Sequence, residues 1–186
     1  MIPVLIAYSS TEGQARKIAG FMAEVLGEAG YRADVVDVAS PQASLVQPVY
    51  SMAILGGSVH VGHHADALAR FVKLQQPWMR GIPVAFFSVS LTAARQDETG
   101  RAGSARMMRE FLARTGLEPV RSGCFAGALR YSRYGFLKRL VMRRIARKEG
   151  GGTDLSRDFE YTDWQAVRRF VLEFARSFAG SPRKVA

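Results

Sequence analysis

Hydrophobic residues fall along this chain in two alternating rhythms. Short strand-like runs occupy residues 4–8 (VLIAY), 33–38, 51–55, 82–89 and 120–126, the central ones continuously apolar. Runs of that length, bounded by Gly, Ser or Pro, read as strands buried on both faces. Between them the spacing changes to 3.6. Ala15, Ile18, Ala19, Met22, Val25 and Leu26 mark a first helix, stopped by Gly27 and Gly30. Leu68, Phe71 and Val72, with Leu74 off the stripe, mark a second over 65–76, stopped near Pro77. After a polar loop through Gly103, Ala105, Met108, Phe111 and Leu112 mark a third over about 104–114. Thr162 and Gln165 read as a capping box for a last helix, whose stripe is Trp164, Val167, Phe170, Val171, Phe174 and Phe178.

Strands alternating with helices predict an α/β protein with a parallel sheet covered on both faces, joined by right-handed crossovers. The expected architecture is a flavodoxin-like, doubly wound, five-stranded sheet of order 2-1-3-4-5. Its ligands bind at the carboxyl ends of the strands, around the strand 1/strand 3 switch point. The last third departs from that plan. Residues 135–148 (GFLKRLVMRRIARK) set Phe136, Leu137, Leu140, Val141 and Ile145 on one helical face, with Lys138, Arg139, Arg143 and Arg147 mostly opposite. Three glycines, 150–152, end it, and residues 158–161 are expected to resume the edge strand. The reading is one domain over 1–180, with a basic insertion at about 128–157 and a frayed tail at 181–186.

The turn after the first strand, SSTEG, carries hydroxyls and a glycine into a helix N-terminus, where unpaired N–H groups and the helix dipole attract phosphate. Ser9, Ser10, Thr11 and Gly13 therefore suit a mononucleotide phosphate, although Thr11 and Gln14 equally fit a ligand-free capping box. No GxGxxG follows this strand and no GxxxxGK[ST] occurs, which excludes the dinucleotide fingerprint and the triphosphate loop. Residues 56–64 (GGSVHVGHH) and 88–91 (SVSL) form two further loops at the same end of the sheet; their glycines and short side chains leave room for a flat ring.

Composition adds limits. At 186 residues, 48% hydrophobic and 23% charged, the chain matches one globular domain. Cys124, the single cysteine, has no partner for an internal disulfide and reads as an inert buried hydrophobe. No charged-then-apolar signal segment opens the sequence, so a reducing, cytoplasmic setting is expected. The net charge of +10 is localised. Residues 130–149 hold eight Lys/Arg against Glu149 alone, a local +7. Such a stretch suits an anionic membrane surface, at about 1 kcal/mol per basic residue, or the carboxylates of a substrate, against the alternative of a solvated face. Nucleic acid is not expected, since no binding module accompanies the charge. His60, His63 and His64 have no carboxylate or cysteine at ligand spacing, so no metal is expected.

The chain resembles the flavodoxin-like bacterial menaquinone-dependent protoporphyrinogen IX dehydrogenases. The resemblance is carried by TEGQ after strand 1, GGSVHVGHH after strand 3, FFSVSL at strand 4, AGALRYSRY after strand 5, then GGGTD and YTDW. It implies FMN as cofactor. Its phosphate would be held by Ser9, Ser10, Thr11, Glu12, Gly13, Gln14 and Ala15, and its ring bordered by Gly57, Ser58, Val59, His60, Gly62, Ser88, Val89, Ser90 and Leu91. Gly127, Ala128, Leu129, Arg130 and Tyr131 would open the insertion beside it. Two positions depart from the family pattern: Ala15 replaces a hydroxyl residue, and His60-Val61 replace Arg-Tyr. The implied reaction, part of haem biosynthesis, is oxidation of protoporphyrinogen IX by hydride transfer from a meso carbon to flavin N5. Electrons then pass to menaquinone or ubiquinone. His63 is the candidate for proton handling, and Arg130, Arg133, Arg139, Arg143, Arg144 and Arg147 are candidates for substrate or membrane contact. The second and third loops hold no Trp or Tyr to sandwich the ring, which fits an enzyme better than a shuttle. The expected location is peripheral, on the cytoplasmic side of the inner membrane, with self-association possible for this fold. An NAD(P)H:quinone reductase or an electron-transfer module without its own substrate are the alternatives.

Overall fold

The computed structural model describes residues 1–95, 97–129 and 158–178. Five parallel strands form the main sheet in the order β2-β1-β3-β5-β6. They are β1 (Pro3–Ser9), β2 (Arg32–Asp37), β3 (Met52–His60), β5 (Val84–Ser90) and β6 (Arg121–Ala126). Counting the parallel strands alone, this is the expected 2-1-3-4-5.

Side-chain alternation along β1 divides the core in two. Val4, Ile6 and Tyr8 point to one face, where α1 (Gln14–Glu28) contributes Ile18, Met22, Val25 and Leu26. The same face receives Val167, Phe170, Val171 and Phe174 from α4 (Trp164–Phe178). Leu5 and Ala7 point to the other, against Leu68, Phe71 and Val72 of α2 (Asp66–Met79) and Phe111 of α3 (Glu98–Thr115).

Several elements differ from their sequence expectation. The expected second loop is a hairpin: β3 runs on to His60 and pairs antiparallel with β4 (His63–His64), Val59 opposite His64 and His60 opposite His63. Pro77 does not stop α2, which continues to Met79. Pro77 has no N–H to give the Lys73 carbonyl, so the helix runs past it at the cost of one hydrogen bond near its end. α3 starts at Glu98, well ahead of Gly103, because the Asp97 side chain accepts from Gly100 N at 2.7 Å and caps it. Its buried face is Ser104, Met107, Phe111 and Thr115, with Ala105, Met108 and Leu112 only half-buried. The last helix is capped by Asp163, whose Oδ1 accepts from Ala166 N at 2.9 Å, and not by Thr162. Residues 158–161 do not rejoin the main sheet edge. β8 (Phe159–Glu160) pairs antiparallel with β7 (Ala128–Leu129) in a separate two-stranded sheet. The expected basic helix at 135–148, its glycine stop and the tail at 181–186 lie outside the described residues.

Candidate functional site

The parallel strands place three segments at one end of the sheet. β1 delivers residues 9–13, β3 delivers Ser58, Val59 and His60, and β5 delivers Val89, Ser90 and Leu91. The β3 and β5 residues, with Gly127 and Ala128 after β6, line one cleft, completed by Thr11, Glu12 and Gln14 from the loop after β1 and the start of the first helix. The strand order reverses between β1 and β3, so the cleft sits at the switch point where this topology opens a crevice.

The loop after β1 is built for an anion. Gly13 stands at the N-terminus of α1 with φ of 92°, a left-handed conformation that favours glycine, and no side chain caps the helix. The capping-box reading of Thr11 and Gln14 is therefore overturned: the helix begins at Gln14 itself. Ser10 Oγ accepts from Gly13 N at 3.0 Å, and Ser58 Oγ, reaching across from β3, accepts from Thr11 N at 3.1 Å. The first turn of α1 carries no acidic residue to compete with an anion for the helix dipole. Main-chain N–H donors and rotatable hydroxyls thus converge where a phosphate is expected.

The side chain of Gln14 does other work. Its Nε2 donates to Thr162 Oγ1 at 2.9 Å, and the Thr162 hydroxyl donates to Ala126 O at 2.7 Å. The cleft's far wall is stitched on in the same way, by Gly127 N to Ser90 O at 3.0 Å and Tyr161 N to Gly127 O at 3.1 Å. Beside them Lys17 Nζ pairs with Glu160 at 2.6 Å, lies over the Trp164 ring at 5.0 Å, and Trp164 Nε1 donates to Glu160 at 2.8 Å. Thr162 was missed as a site residue because its capping pattern supplied a sufficient local reason for it.

Other expected site residues have different surroundings. Ala15 is fully buried in the core, so its side chain faces away from the loop; a hydroxyl there would sit among apolar groups. A Cβ on Gly57 would come within 2.9 Å of Ser9 O, and one on Gly56 within 2.3 Å of Phe87 O. Both glycines make room for neighbouring strands. Ser9 and Ser88 are buried. Ser88 Oγ faces His64 Nε2 at 3.0 Å, away from the cleft lining. Gly62 forms the hairpin turn with φ of 83°. His63 is exposed and borders a separate depression with His64, Glu110 and Arg114. For Leu129 only the backbone is described, and Arg130, Tyr131, Arg133, Arg139, Arg143, Arg144 and Arg147 lie outside the described residues.

His64 is the most perturbed ionisable group among those described. It is 4% exposed and packs edge-on to Phe86 and against Phe111. Burial, then the positive charges of Arg114 and His63, lower its pKa to about 4, so the imidazole is neutral at pH 7. Cys124 is half-buried, with its Sγ 3.9 Å from Met108 Sδ, and burial raises its thiol pKa, as expected for an unreactive cysteine. Among the described residues no group of three or more His, Cys, Asp or Glu is placed to hold a metal ion. None of their helices is long and apolar enough to cross a membrane.

A flavodoxin domain model matches residues 5–156. The protoporphyrinogen IX dehydrogenase (quinone) of Leishmania major is 39% identical over 172 residues, covering 92% of this chain and 74% of that protein. The protoporphyrinogen IX dehydrogenase (quinone) of Escherichia coli strain K12 is 36% identical over 171 residues, covering 92% and 93%. Among solved structures, a short-chain flavodoxin associated with a non-canonical PDU bacterial microcompartment aligns over 95% of this chain and 99% of its own, with a TM-score of 0.58 at 9% identity. Oxidised flavodoxin 1 from Bacillus cereus aligns over 94% and 97%, with a TM-score of 0.52 at 17% identity. These two likenesses establish the fold alone.

Proposed function

The chain belongs to the flavodoxin-domain family of protoporphyrinogen IX dehydrogenases, and from that premise we propose that it binds FMN in the three-segment cleft and oxidises protoporphyrinogen IX to protoporphyrin IX with a quinone as acceptor. The observation that carries the reading is the cleft itself, a hydroxyl-bearing loop at a helix N-terminus at the switch point, continued by the short side chains of Val59, Val89, Leu91 and Ala128. The donor set fits the cofactor: backbone N–H groups and neutral hydroxyls at a helix N-terminus for the phosphate, short apolar side chains for the ring. When bound, FMN supplies the two-electron acceptor for the porphyrinogen and the donor for the quinone.

The protein's own residues bind and orient. Ser10, Thr11, Gly13 and Ser58 would hold the phosphate oxygens, and the α1 dipole would favour their charge. Gln14, through Thr162, holds the wall at Ala126 and Gly127 against the cradle. Val59, His60, Val89, Leu91 and Ala128 would flank the ring and keep water from its edges. No Trp or Tyr lines the cleft among the described residues, which leaves a face for a second flat molecule. We assign His63, exposed beyond the turn, the removal of a proton released by the substrate.

Anaerobic stopped-flow spectroscopy tests the reading. Protein carrying FMN is expected to bleach in the flavin band on mixing with protoporphyrinogen IX and to recover colour with a quinone. Bleaching by NADPH alone, with none by the porphyrinogen, would assign the chain to a reductase instead.

The local +7 over residues 130–149 supports a further reading, in which this stretch holds the enzyme to the anionic face of a membrane, where a quinone is found. Neutralising Arg139, Arg143, Arg144 and Arg147 is expected to abolish most sedimentation with anionic vesicles at 0.1 M salt. Undiminished sedimentation of that variant would remove the membrane role.

A further inference from the structure

The tip of the β3–β4 hairpin, between His60 and His63, consists of Val61 and Gly62, both with positive φ, at 49° and 83°. That pattern belongs to a two-residue primed turn, which Asn-Gly makes without strain. Val61 is the one residue other than glycine with positive φ among those described, and it is β-branched, the side-chain type that tolerates this region least. Its own chain gives nothing back, since Val61 is 84% exposed.

The tip is nonetheless firmly placed. His64, directly below it, is anchored to Ser88 and packed on Phe86 and Phe111, while Val59 and His60 line the cofactor cleft. Val61, a strained and exposed apolar residue, thus directly follows His60, where β3 leaves a cleft lined by Val59, Val89, Leu91 and Ala128. Strain kept at such a position, with no packing among the described residues to explain it, points to a contact made with a bound molecule.

We propose that Val61 is a specificity-determining contact for the porphyrinogen, extending the apolar wall of the cleft to meet the methyl- and vinyl-bearing edge of the macrocycle. The proposal rests on the functional reading above. A ring wider than the cleft must extend past its lining, and the hairpin tip, one residue beyond His60, is an exposed apolar surface among the described residues there. With its apolar edge on Val61, the substrate keeps its two propionates in water.

Val61→Asn and Val61→Leu test the assignment by steady-state kinetics, FMN titration and thermal melting. Val61→Asn relieves the turn and is expected to melt no lower than the parent protein, with FMN affinity unchanged. Its KM for protoporphyrinogen IX is expected to rise about tenfold, the loss of one buried valine-sized contact, with kcat and the quinone KM within twofold. Val61→Leu is expected to keep the parent KM. An unchanged porphyrinogen KM in Val61→Asn overturns the proposal, as does a rise confined to the quinone KM or to the FMN dissociation constant. If the parent protein does not oxidise protoporphyrinogen at all, the functional reading fails first and this assignment falls with it.

Discussion

Replacing Gly56 by alanine is expected to destabilise the protein by about 3 kcal/mol or more, the upper part of the range for overpacking a core. Gly56 lies in the middle of the sheet, in register with Phe87 of β5. A Cβ there would stand 2.3 Å from both Phe87 O and the ring Cδ1, and 2.5 Å from Cγ. The ring can rotate aside; the carbonyl cannot, because β5 is paired on both sides. Relief therefore requires the two central strands to part, which spoils the hydrogen bonds that lead into Ser58. Gly20 provides the contrast. It lies inside α1, and a Cβ there meets nothing within 4 Å. Gly20→Ala is expected to stabilise by about 0.5–1 kcal/mol through helix propensity alone. Urea midpoints of the two variants should move in opposite directions, and an unchanged midpoint for Gly56→Ala would contradict the packing described.

Acid should weaken the fold through His64 in particular. In the unfolded chain this imidazole takes up a proton near pH 6.5; in the folded protein it does so only near pH 4, because burial and the charges of Arg114 and His63 oppose a second cation. Between those values the unfolded state binds more protons, so stability is complete above pH 6.5 and declines as the pH falls towards 4. The loss over that window amounts to about 3 kcal/mol. The groups facing the ring are Ser88 from β5, which meets Nε2, and Arg114 from α3, which pairs with Asp66. His64 Nδ1 is buried without a hydrogen-bond partner among the described residues, so a proton placed there gains no acceptor from them. Urea unfolding of the parent and of His64→Gln from pH 4.5 to 7.5 isolates the effect, because every other ionisable group is common to both. The variant is expected to show a slope shallower by up to one proton. Parallel curves would mean that His64 ionises as readily folded as unfolded.

How far the sequence could be read depended on whether local and long-range reasons agreed. The parallel sheet was legible because its central strands β1, β3 and β5 are apolar on both faces, and with alternating helices that leaves few arrangements. The loop at Ser9 to Gly13 was legible as an anion site because strand, hydroxyls, glycine and helix follow one another directly. The hairpin was not, since His60 and His63 pair through a turn that begins with valine, where the usual signal is Asn or Gly. The Asp97 cap was not legible, because the stretch through Gly103 is polar and reads as a loop. Gly100 is there because a Cβ would collide with Arg95 Cβ at 2.3 Å. Thr162 shows the limit most clearly. Spacing alone made it a helix cap, whereas its hydroxyl serves a residue 148 positions earlier.

That long reach has a consequence for how the protein comes into being. The cradle at Ser10 to Gln14 is made early in synthesis, yet the groups that brace it, Glu160, Thr162 and Trp164, are made near the end. Closing so large a loop is slow and comes late. A nascent chain halted before residue 160 would leave the ribosome colourless, and cofactor capture becomes a report that translation has run nearly to completion.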